Sequence, residues 1–156
     1  MAYATTPLAG IDFSTVDTTQ EFPLGTIVSA SDGAEYMYIK ADAAITQYAA
    51  VKIDDDLECT MITTTISGSE PTQVGIAQIA FADTEYGWIV ISGPCTVLAA
   101  SSCAADVKCY TTATSGVIDD AATDCIQGLK LTTTNGASQA ATAAFAAGRM
   151  YTNAQD

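Results

Sequence analysis

From Leu24 onward, short runs rich in β-branched and aromatic residues are separated by turn residues at intervals of about ten positions. Strands are predicted over 26–30, 35–41, 50–53, 58–66, 74–81, 86–92, 96–99, 107–112, 117–118 and 126–134. In 35–41, Tyr36, Tyr38 and Lys40 fall on one face while Met37 and Ile39 fall on the other. Ser31-Asp32-Gly33, Asp54-Asp55-Asp56 and the stretch 67–71 supply the breaks. The spacing is too tight for β-α-β units and predicts an all-β fold. Residues 25–156 form a single compact β-barrel or β-sandwich domain. Trp88 to Ile91 is continuously apolar, as a strand buried on both faces would be. Trp88, Ile89 and Ile91 are therefore assigned to the structural core.

Residues 1–24 lack a sustained period of either 2 or 3.6, yet Tyr3, Leu8, Ile11, Phe13, Val16 and Phe22 punctuate them. A flexible linker rarely holds so many large apolar groups. Two readings follow: a tail packed across its own domain, or an extended N-terminal arm whose apolar residues contact a partner. The arm is the sharper expectation. Two further segments are ambiguous. Residues 41–50 suit a single helical turn or a connecting bend. Residues 137–150 are alanine-rich and helix-prone, but show no apolar stripe. They follow Asn135-Gly136, the strongest short-range hairpin signal, which favours a final strand.

Charge narrows the functional classes. Five Lys and Arg stand against 18 Asp and Glu, giving a net charge of −13. That balance argues against binding nucleic acid or an anionic membrane surface. The absence of histidine removes Ser-His-Asp and Cys-His catalysis. No apolar run is long enough for a membrane span, and the opening residues lack a secretory pattern. A chain made in a cytoplasm and soluble there is expected. Cys59, Cys95, Cys103, Cys109 and Cys125 are odd in number and form no Cys-x-x-Cys pair. They are read as reduced, buried side chains, with no metal and no cofactor implied.

Asp54-Asp55-Asp56-Leu57-Glu58 has calcium-like composition, but its spacing is that of an acidic turn. Asp83 and Glu85 flank Thr84 in another polar turn, and Cys95 follows Ser92-Gly93-Pro94 without an activating base. No catalytic constellation emerges, and the expectation is a protein that is not an enzyme.

Phe22-Pro23-Leu24-Gly25-Thr26, the Tyr-rich strand, Val74-Gly75-Ile76-Ala77-Gln78 and Tyr86-Gly87-Trp88 ending in Ser92-Gly93 together resemble small structural proteins of tailed bacteriophages. The similarity is to head decoration (cement) proteins and spans roughly residues 22–119. It implies a virion protein on the outer capsid surface, partnered by the major capsid protein and oligomeric, with a trimer favoured. An adhesin or glycan-binding module is the competing class. Tyr36, Tyr38, Tyr48, Tyr86 and Tyr110 would then supply its sugar-stacking rings, though they suit β-sheet packing equally well.

Overall fold

The computed structural model describes residues 10–66, 71–121, 123–137 and 139–153. Ten strands are connected in chain order: β1 (Ile27–Ser29), β2 (Glu35–Ala41), β3 (Ala50–Ile53), β4 (Glu58–Met61) and β5 (Gln73–Ala77) come first. They are followed by β6 (Tyr86–Ala99), β7 (Cys109–Thr111), β8 (Ile118–Asp119), β9 (Cys125–Leu131) and β10 (Ala140–Asn153). No helix occurs among the described residues, so the fold is all-β. Residues 41–50 form a bend, and the alanine-rich segment is a strand.

All ten strands belong to one sheet that closes on itself twice. The first ring runs β2–β4–β3–β5–β6 and returns to β2. The second runs β6–β10–β9–β7–β8 and returns to β6. Strand β6 is the shared wall, with residues 86–92 pairing β2 and residues 93–99 pairing β10. Closure removes most free edges, which is how β proteins avoid indiscriminate pairing.

Alternation along each strand sorts side chains into these interiors. Met37, Ile39, Ile89 and Ile91 fill the first ring with Val51, Ile53 and Ala77. Val97, Ala99, Ile118, Leu129, Leu131, Ala144 and Ala146 fill the second. Val74 and Ile76 of β5 join that second core, so β5 is buried from both sides. Asn135 is buried at the end of β6, where its amide shares its protons among the carbonyls of Ala99, Ala100 and Ala137 (2.6–2.8 Å). The predicted β9–β10 hairpin exists, but the connection is longer than a tight Asn-Gly turn.

The apolar run in β6 has the two-sided burial expected of it. Its second face, Trp88 and Val90 with Tyr36 and Tyr38 of β2, is covered by residues 11–24. Phe13 stacks on Tyr36, with ring centroids 4.0 Å apart and planes 5° from parallel. Phe22 lies 5.3 Å from both the Tyr38 and Trp88 rings. Asp17 exchanges two 2.8 Å main-chain bonds with Tyr86. The arm expectation is therefore corrected for these positions. Ile11, Phe13 and Phe22 pack on the outer wall of their own domain, and Val16 packs against the first core. The physical reason is that β2 and β6 expose large aromatic rings that only an added layer can dry. Tyr3 and Leu8 lie outside the described residues.

A second correction concerns residues 92–95. Gly93-Pro94 reads as a turn, yet β6 continues through it. Gly93 has φ +92°, and the β2 register skips a residue between Ser92 and Val90, so the strand bulges as it changes partners. A Cβ at Gly93 would lie 2.7 Å from Ala34 Cα and 2.8 Å from the Gly33 carbonyl oxygen. Gly93→Ala should cost about 1–3 kcal/mol from backbone conformation alone, with the overlap adding to it. Gly33→Ala is the control, since φ there is +87° but nothing lies near its Cβ. Urea denaturation should find Gly93→Ala the less stable of the two; equal losses would show that the close approach carries no cost.

Candidate interaction face

The candidate chemical groups of the sequence are largely engaged in holding loops. Lys52 Nζ lies 2.6 Å from Asp54 Oδ1, and Lys40 pairs with Glu58, so two of the acidic-turn carboxylates neutralise lysines on neighbouring strands. Glu85 accepts the Ala82 amide at 2.7 Å and closes its own turn. An open groove of about 640 Å³ runs between the Asp54–Leu57 turn and Pro71, Thr72 and Gln73. Gln73 lines it, and its Nε2 is buried without a hydrogen-bond partner among the described residues.

Tyr38 is fully buried, and its hydroxyl donates to Asp17 Oδ2 at 2.7 Å while accepting the Glu21 amide at 3.2 Å. Burial, with the Asp17 carboxylate beside it, pushes this phenol up to about 12. Its role is to anchor the N-terminal layer. Tyr36 is 5% exposed and Tyr38 0%, so neither ring presents a face to a sugar. This corrects two of the five stacking positions considered above; Tyr48, Tyr86 and Tyr110 are half-buried.

All five cysteines are free thiols, four of them buried and Cys95 half-buried. Burial pushes Cys95 and Cys109 up to about 12, and it raises Cys59 further with help from Asp54, Asp56 and Glu58. Such thiols stay protonated and inert. Cys103 lies within 4.8 Å of Asp119 and Asp120, a trio of donor types that could hold a divalent cation and that the linear sequence did not bring together. Burial and those carboxylates push its thiol up to about 11. Asp120 Oδ2 accepts the Ala104 amide at 3.0 Å, and Asp119 Oδ1 accepts the Asp120 amide at 2.9 Å.

Thiol burial has a consequence for stability. The folded Cys109 binds its proton more tightly than an unfolded cysteine of pKa about 8.5. Its contribution is complete below pH 8.5 and is lost as pH rises towards 12. Between pH 8 and 10 the folded protein should weaken by about 2 kcal/mol on account of Cys109, and Tyr38 acts in the same sense at higher pH. Cys109→Ala should lessen this alkaline slope in urea titrations by Cys109's share, the other raised thiols keeping the rest. An unchanged slope would place the titration elsewhere.

One surface differs from the rest of the molecule. On the outer side of the second ring, Lys130, Phe145 and Pro94 form a row across β9, β10 and β6. Thr96 and Ala143 pair in the next row, and Leu98 and Ala141 beyond them. Tyr151 stands between Gln127 and Gln73 on the far side of a bulge. Phe145 is 40% exposed and Tyr151 48%, among the most exposed large apolar residues. β6, β9 and β10 contain no Asp or Glu, in a chain with 18 of them. Arg149 projects here without an ion pair among the described residues, and Lys130 pairs with Asp106 at its margin. Exposed aromatic rings and an Arg, on strands that contribute no carboxylate, are the composition of a protein-binding patch rather than of a solvated face.

The chain matches no protein-family model, and no significant match exists among curated proteins or solved structures.

Proposed function

We propose that this protein is a non-enzymatic virion structural protein that binds the outer surface of a bacteriophage capsid and reinforces contacts between capsomers. The observation that carries this reading is β6 as the common wall of two closed rings. It makes the whole body one continuous sheet, which suits a part whose task is to resist separation of its neighbours. The N-terminal layer fastened over Trp88 adds to that stiffness. The β10 face, whose strands contribute no carboxylate, gives such a body a surface for protein contact, and the chain's net charge of −13 disfavours a place beside packaged DNA. The resemblance to head decoration proteins points the same way. In this reading the chain works as an oligomer, a trimer by preference, with the major capsid protein as partner and no cofactor.

Co-sedimentation of the purified chain with capsids stripped of it tests the proposal. Saturable binding to the particles, and no retention on immobilised glycans, is expected. Retention on glycans with no capsid binding would replace this reading with the adhesin alternative.

A further inference from the structure

We propose that the β10 face is the contact by which one copy of this chain seats a second copy, meeting carboxylate-bearing surface on its neighbour. The proposal deepens the reading of the chain as an assembling structural protein and rests on it.

The occupant follows from charge. A copy of this chain is an acidic body, and approach of two such bodies through most surfaces brings carboxylates together. The N-terminal layer carries Asp12, Asp17 and Glu21; the β3–β4 turn carries Asp54, Asp55 and Asp56; the loops around β7 and β8 carry Asp106, Asp119, Asp120 and Asp124. Strands β6, β9 and β10 contribute none, and they offer Arg149, which has no ion pair among the described residues. Two such faces stacked on each other would offer Arg149 no carboxylate from β6, β9 or β10. Face against acidic surface instead gives the guanidinium a carboxylate, while Phe145 and Tyr151 lose water. The contact is therefore heterologous, the type that forms a ring when its rotation closes. Ala141, Ala143 and Ala147 keep the surface flat and lose no side-chain freedom on docking.

Sedimentation velocity on the full chain, at low and high NaCl, is the test. Wild type should associate, and its advantage over Arg149→Glu should be largest at low salt and shrink as salt screens the Arg149 contact. Arg149→Glu should weaken association by about tenfold or more, because it sets like charges against each other. Arg149→Lys should restore much of it, and Phe145→Ser should weaken it at either salt. Thermal melts of all three should match wild type, since both side chains project outward; if Phe145→Ser misfolds, the Arg149 pair decides alone. A monomer at every salt, or association indifferent to Arg149→Glu at every salt, would each overturn the proposal. Capsid co-sedimentation of the same samples separates the two levels. A monomer that binds capsids leaves the decoration reading intact and removes only this interface. An oligomer that ignores capsids does the reverse.

Discussion

Trp88→Ala should destabilise the fold by about 3–5 kcal/mol, the usual cost of truncating a large buried aromatic. Trp88 is 2% exposed, and its indole lies 5.1 Å from Tyr38, 5.3 Å from Phe22 and 5.7 Å from Phe13, measured between ring centroids. Removing it opens a cavity beneath a layer attached by few main-chain bonds, so local collapse would require that layer to shift. For a chain of this size, the loss corresponds to a fall of roughly 6–20 °C in Tm. Below the new midpoint, association through β10 should persist, because Trp88 lies on the first ring and not on that face. Unchanged thermal stability combined with loss of partner binding would show that the indole contacts a ligand.

The second large effect concerns the N-terminal layer. Deleting residues 1–20 removes Phe13 and Val16 together with the Asp17 bonds to Tyr86 and to the Tyr38 hydroxyl. Phe13 alone is worth about 3–5 kcal/mol by the same reasoning. Domains of this kind are stable by only about 5–15 kcal/mol, so the truncated chain should be marginal. Because Trp88 is the only tryptophan, its fluorescence reads this directly. Emission should shift to the red, and the urea midpoint should drop. Native emission with an unchanged midpoint would mean that the segment is an appendage, as the arm reading had it.

How far the fold was legible depends on what each residue packs against. Strands β2 and β3 were legible to the residue, because Tyr36, Tyr38 and Lys40 alternate with Met37 and Ile39, and Ala50–Ile53 ends at an acidic turn. The bulge in β6 was not. Gly93 and Pro94 punctuate a sequence in the same way whether the chain turns or merely bends, and the second ring needs the strand to continue. The N-terminal layer was misread for a different reason. Phe13 and Phe22 follow no ladder period, since they fill gaps on an outer wall rather than pair along a strand. Asn135 announced a hairpin but is spent on capping β6. The β10 face had a signal that went unused: residues 125–153 contain no carboxylate in a strongly acidic chain. The trio of Cys103, Asp119 and Asp120 had none, because only the pairing of β8 beside β6 gathers it.

Electron microscopy of purified particles, with and without this protein, tests its role most directly. Density matching the two-ring body should appear on the outer capsid surface where capsomers meet, and should vanish from particles lacking the chain. Density confined to the interior or the tail, or identical maps from both samples, would contradict a decorating role.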